Sequence, residues 1–225
     1  SNIAGVGLEY DALYLPDSGF LSPRKLCDHY ADGLDVRLNS KVERLSDLNA
    51  DIIIIACGNA LKDFEETKDL PIQSVRGQIT QVKQTSVSAA LKCNLNYGGY
   101  CTPSLKGTHT IGATFQRWLD HSDLLPDDDT DNILKLSAVT PQLAKNMEAI
   151  HSRASLRCAS KDHFPIVGRL EEYPNIYISA AHGSHGIISS FAAARLIADM
   201  ILDRPYSQSM PTVRCLSPQR FSNPK

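Results

Sequence analysis

The residues from Ile176 to Leu202, IYISAAHGSHGIISSFAAARLIADMIL, constrain the fold more than any other stretch. An apolar triplet (Ile176, Tyr177, Ile178) reads as a buried strand, Ala180 to Gly186 as a small-residue turn, and the rest as a helix. Its apolar residues Ile187, Phe191, Ala194, Ile197, Ala198 and Ile201 recur at helical spacing. Gly183 and Gly186 sit at the joint, separated only by Ser184 and His185. Such a joint lets a flat or anionic group approach bare backbone N–H groups at a helix N-terminus, where the helix dipole favours negative charge. A plain tight turn fits the same residues, and the sequence leaves both readings open.

A second stretch points to the same architecture. Ala50 to Gly58, ADIIIIACG, is a β-branched run closed by a glycine, as expected of a parallel strand buried on both faces. Ligands in open parallel sheets bind beyond such carboxyl ends, so Ala56, Cys57, Gly58 and Asn59 form a second candidate contact. Around these elements, Ser22-Pro23 reads as the cap of a helix with Leu26, Cys27 and Tyr30 inward. Asp35 to Leu45 reads as two short strands.

From Leu70 the pattern changes to alternation. Val75 to Val82 reads as a half-exposed strand, and Tyr97 to Pro103 with Thr108 to Phe115 as a hairpin across Ser104 to Gly107. Leu125 to Asp129 reads as a solvated acidic loop, followed by helices over Asp131–Val139 and Pro141–Ile150, a strand over Arg153–Ala159, and a loop from Ser160 to Gly168. The expected fold class is therefore mixed α/β, with an α/β part at 1–69 and 170–225 bracketing an antiparallel sheet with helices at 70–169.

Composition narrows the function classes. With 225 residues, 42% hydrophobic and 21% charged, the chain has globular composition, and its net charge of −2 gives no global attraction to nucleic acid. The longest apolar run falls far short of the ~18 residues of a membrane span, and no signal-peptide pattern opens the chain, which reads as cytoplasmic. Met147 is the first methionine, so Ser1 reads as a processed or excised start. The six cysteines show no C-x-x-C and no zinc-finger spacing, so they read as reduced thiols without a metal. A serine-hydrolase elbow at His182-Gly183-Ser184-His185-Gly186 fails because position 182 is not glycine and no histidine follows His185.

Leu156 to Gly168, LRCASKDHFPIVG, followed by Ala181 to Gly186, resembles the D-amino-acid-oxidase-like FAD oxidoreductases, the family of glycine oxidase and sarcosine oxidase. Within it, Gly19 to Pro23, Ala56-Cys57-Gly58, Val75 to Gln78, Tyr97 to Pro103, Ile111 to Thr114, Arg157 to His163 and Leu216 to Arg220 resemble one branch. That branch is the FAD-dependent half of the bifunctional tRNA 5-methylaminomethyl-2-thiouridine biosynthesis proteins. The family's opening strand, G-x-G-x-x-G turn and ribose-binding acidic residue are not among these 225 residues, nor is the methyltransferase domain that the branch carries upstream. The resemblance thus implies a truncated FAD-binding Rossmann-like part interleaved with a substrate domain.

It also implies FAD as cofactor, held by Ala56, Cys57, Gly58, Gly77, Gln78, Gly183, Ser184, His185 and Gly186. A tRNA wobble uridine is the implied substrate, with Arg157 pairing its carboxylate and Tyr100 supplying a hydroxyl. On residue chemistry alone, a surface or strand-pairing arginine is the lesser alternative for Arg157, while Tyr100 reads equally as a core residue. The implied reaction removes the carboxymethyl group of 5-carboxymethylaminomethyluridine as glyoxylate. A free glycine or D-amino-acid oxidase and a non-catalytic fragment are the alternatives.

Overall fold

The computed structural model describes residues 3–222, which form two compact units. One unit contains the residues up to Tyr30 and Arg76–Ser155; the other contains Ala31–Val75 and the residues from Leu156 on. The sequence placed residues 1–30 with the α/β part. They join the first unit because Ala4 and Val6 are buried with Leu91, Leu136 and Leu143, and Lys92 N–H donates to the Ala4 carbonyl at 2.9 Å.

The first unit is built on antiparallel strands. β2 (Ile72–Lys83) pairs with β5 (Thr108–Gly112), β5 with β4 (Tyr100–Cys101), and β4 with β3 (Leu95–Asn96). β6 (Ala149–Ser160) lies on the other side of β2, giving the order β3-β4-β5-β2-β6. The expected hairpin forms with shorter strands. The long strand β2 is largely buried rather than half exposed, because it is flanked by strands on both sides.

The helix α2 (Pro126–Val139) starts earlier than the sequence suggests, and α3 (Pro141–Ala144) is cut short, giving way to β6. The acidic run is therefore the first turn of α2, with Pro126 in the opening turn and Asp127, Asp128 and Asp129 at the positive end of the dipole. It is not solvated. Asp128 pairs with Arg76, whose side chain is 0% exposed and also donates to Gln116, Gln78 and the Asp123 carbonyl. Asp129 accepts from Gln78 Nε2 (3.0 Å), Thr80 Oγ1 (2.6 Å) and Ser152 Oγ (2.7 Å). Buried charge survives only when paired and hydrogen-bonded, and this network pins the start of α2 to the sheet.

The second unit has a three-stranded sheet in the order β1-β8-β7. Here β1 (Ile53–Ile55) runs parallel to β8 (Ile176–Ala180), and β7 (Ile166–Arg169), which the sequence reading took for loop, runs antiparallel to β8. β1 is an edge strand with one strand neighbour, and with Ile54 50% exposed it is not buried on both faces. The strands expected over Asp35–Leu45 do not form. Val36 and Leu38 are exposed, with no ladder to satisfy their backbone.

The helix α1 (Pro23–Ala31) is capped by Ser22 as expected, with Lys25 N–H reaching Ser22 Oγ at 3.4 Å, but it buries no residue. The helix α4 (Gly186–Ile201) packs through Ala193, Leu196, Ile197 and Met200 onto Val167 and Tyr177, leaving Ile187 and Phe191 outward. Its contact stripe is thus one step around from the expected one. The last elements are α5 (Met210–Leu216), capped by Ser209, and a short turn over Pro218–Phe221.

That turn is locked to the loop after β6. Arg220 donates to both carboxylate oxygens of Asp162 (2.7 and 3.0 Å) and to the Phe164 carbonyl (2.9 Å). The Arg220 pair, aided by Ser160 and the Phe164 N–H, holds the Asp162 carboxyl down at about 2, against an ordinary 3.8. A depressed carboxyl contributes stability that is complete above its unfolded value and is lost as pH falls through its folded value. Acid unfolding followed by circular dichroism is therefore expected to show a loss of stability between pH 3.8 and about 2, and Arg220→Ala is expected to flatten that segment.

Candidate active site at the start of helix α4

The geometry around Gly183 begins with β8. At its carboxyl end the chain turns through two residues in the left-handed region, Ala181 (φ 57°) and Gly183 (φ 57°), and enters α4 at His185. The turn is tied to β6: Gly183 N–H donates to the Cys158 carbonyl at 2.9 Å, and His182 bridges Ala159. On the other side of Cys158 stands Gly58 (φ 63°), where a Cβ would lie 4.0 Å from that of Cys158. The structure thus brings together the carboxyl end of β1, the Arg157–Ala159 segment of β6 and the glycine turn.

Three backbone donors of this turn are left over. The N–H groups of Ser184, Gly186 and Ile187 meet no acceptor among the described residues, and His185 as N-cap supplies no side-chain cap. These are the orphan donors of a helix start, aligned with the dipole of a 16-residue helix. A Cβ added at Gly183 would meet nothing within 4 Å, so the turn is open on that side. Gly183→Ala is accordingly expected to cost only backbone strain, about 1–2 kcal/mol, measurable by urea denaturation.

Beside Ala56 and Cys57 lies a cavity of about 330 Å³ lined by Val42, Leu45, Ile55, Ala60 and Phe64, with Lys41, Glu43 and Asp63 at its polar positions. The free donors and the open glycine fit the electron-rich edge of a flat ring such as a flavin's. Burial pushes the Cys57 and Cys158 thiols up, which keeps both protonated and poor nucleophiles. Among the described residues no group of three or more His, Cys, Asp or Glu side chains could hold a metal ion, and no helix is long and apolar enough to cross a membrane.

The other expected site residues lie on β6, β4 and β2. Arg157 is half-buried on β6, next to Cys158. Tyr100 is half-buried on β4 in the first unit, where its carbonyl accepts from the Tyr97 hydroxyl at 3.1 Å. Gly77 is buried on β2. Gln78, expected at the cofactor, has its side chain engaged within the first unit. It is fully buried, and its amide is spent on Arg76, the Leu125 backbone and Asp129, so its side chain holds α2 to the sheet and has nothing left for a cofactor.

From sequence His182 reads as a turn residue bonded to backbone, whereas in the structure its ring meets two serine hydroxyls. Its Nε2 lies 3.1 Å from Ser179 Oγ and its Nδ1 2.8 Å from Ser189 Oγ, and burial lowers its pKa below the usual 6.5. The spacing of Ser179, His182 and Ser189 across a strand–turn–helix joint was the available signal.

Comparison with known proteins gives the family and the fold. The family model of FAD dependent oxidoreductases (DAO) matches residues 4–200. The tRNA 5-methylaminomethyl-2-thiouridine biosynthesis bifunctional protein MnmC of Legionella pneumophila (strain Corby) is 28% identical over 261 aligned residues, covering 100% of this chain and 39% of that protein. MnmC of Pseudomonas syringae pv. tomato is 28% identical, covering 97% of this chain and 40% of that protein. This chain therefore spans about two fifths of the length of these relatives.

Among solved structures, glycine oxidase from Geobacillus kaustophilus superposes with a TM-score of 0.67 at 19% identity, covering 76% of this chain and 46% of that one. Iminodiacetate oxidase from Chelativorans sp. BNC1 gives 0.65 at 20% identity, covering 76% and 47%. These likenesses establish the fold. The family match begins ahead of α1, includes the whole glycine turn and ends in the last turn of α4, and on it the chain belongs to the DAO family of FAD dependent oxidoreductases.

Proposed function

We propose that this chain is the flavin-facing part of an oxidoreductase that removes the carboxymethyl group of 5-carboxymethylaminomethyl-(2-thio)uridine at the tRNA wobble position. The observation that carries the reading is the set of three unspent N–H groups at Ser184, Gly186 and Ile187, opening α4 beside Cys158 and Gly58. FAD, when bound, supplies a two-electron acceptor for a carbon between nitrogen and carboxylate. The residues that would hold it are Gly183, Ser184, His185 and Gly186 at the turn and Ala56, Cys57 and Gly58 beyond β1.

The work left to the chain is placement and charge. The α4 N–H groups stabilise negative charge on an electron-rich edge, and Arg157 pairs a substrate carboxylate through its planar fork. Tyr100 is the hydroxyl partner in this reading. Loss of a hydride and a proton from the substrate gives an imine, and water splits it to glyoxylate and the aminomethyl nucleoside. The substrate class is supported by the relatives that align over the whole chain, which are named for tRNA modification. In the longer protein an upstream methyltransferase domain would be the partner. A free glycine oxidase is the second reading, supported by the superposition with that enzyme.

Incubation with FAD and tRNA bearing the carboxymethylaminomethyl group tests the proposal. Glyoxylate release from that tRNA but not from glycine is the expected result. Release from glycine alone would give the second reading its place, and FAD binding with neither activity would leave a binding fragment.

A further inference from the structure

The hydroxyls of Ser179 and Ser189 flank the His182 ring from opposite elements, β8 and α4, and the direction of each hydrogen bond follows from the last link. Ser189 Oγ lies 3.0 Å from the His185 carbonyl. A hydroxyl and a carbonyl can meet only with the hydroxyl donating, so the single Ser189 proton is spent there. Ser189 Oγ then accepts from His182, which puts the ring proton on Nδ1 at 2.8 Å. Nε2 is left as a lone pair and accepts the Ser179 proton at 3.1 Å. The chain Ser179 → His182 → Ser189 → His185 carbonyl spans the whole glycine turn, and no carboxylate joins it among the contacts of these residues.

We infer that His182 is a positioning residue, a neutral cross-brace that fixes the first turn of α4 relative to β8 and so aims the Ser184, Gly186 and Ile187 N–H groups at the bound cofactor. The inference rests on the FAD reading of the turn. The turn needs such a brace. Gly183 is in open space, Ala181 is held in a left-handed conformation, and N-cap His185 makes no side-chain cap, so backbone preference alone does not hold the donors in place.

Two measurements on the 225-residue chain test it. Nitrogen chemical shifts of the His182 ring, recorded without FAD, are expected to show a protonated Nδ1 and a bare Nε2; the opposite tautomer would overturn the bonding chain whatever the chain binds. FAD titrations by flavin fluorescence are expected to weaken about tenfold in His182→Ala, which removes both hydrogen bonds of the ring. His182→Asn, whose amide N–H can replace Nδ1–H toward Ser189, is expected to recover most of that loss. Ser189→Ala added to His182→Ala is expected to weaken binding no further, because the two act as one chain. Wild-type affinity in a His182→Ala variant that melts like the parent overturns the brace. Absence of FAD binding by the parent chain overturns the cofactor reading instead, and the two failures are distinct.

Discussion

Replacing Asp128 by alanine is expected to destabilise the chain by about 3–5 kcal/mol, the usual consequence of stranding a buried charge. The partner left behind is Arg76, fully buried on β2, whose Nε already lacks an acceptor among the described residues. Its remaining contacts are neutral oxygens of Gln116, Gln78 and the Asp123 backbone, which cannot balance the charge. Urea denaturation checks the value. Replacing both partners by apolar residues, as in Arg76→Met with Asp128→Leu, is expected to cost far less, since both desolvation penalties then vanish. The exposed pair Arg37–Asp35, at 2.9 Å, sets the contrast: its loss is expected to change stability by less than about 1 kcal/mol.

Arg157→Ala is expected to lower kcat/KM for the carboxymethylaminomethyl substrate by about 10²–10⁴-fold, the loss of two hydrogen bonds to a charged carboxylate, while FAD affinity stays unchanged. Arg157→Lys is expected to recover only a small part, because an ammonium restores the charge without the planar fork. Steady-state kinetics with flavin titration separate the two effects. Retained turnover in Arg157→Ala would remove the residue from substrate binding.

How far the sequence could be read depended on whether the controlling interactions were local. The strand–turn–helix over Ile176–Leu202 was legible because its periodicity and its glycines are local signals, and β8 and α4 form where expected. β1 was legible as a strand but not as an edge strand, since the number of its neighbours is a long-range property. The same holds for Val36 and Leu38, whose β-branched and apolar pattern has no partner strand to pair with.

The acidic run Asp127–Asp129 looked solvated because its cation, Arg76, lies some fifty residues earlier and reveals itself only in the packed sheet. Gln78, beside that arginine, was given to the cofactor by family likeness, whereas its hydrogen bonds belong to the same buried network. At the site, Gly58 and Gly183 were legible as glycines a turn requires, and both adopt positive φ. His182 reads from sequence as a turn residue bonded to backbone, because its serine partners come from a strand and a helix that only the fold brings to its two ring nitrogens.

The central claim is that the opening of α4 receives the flavin. Backbone amide shifts of the isotope-labelled chain, followed during FAD addition, test it most directly. The account predicts saturable shifts concentrated at Ser184, Gly186 and Ile187, with smaller ones at Ala56 to Gly58. FAD bound with those three amides unmoved, or no FAD bound at saturating concentration, would contradict it.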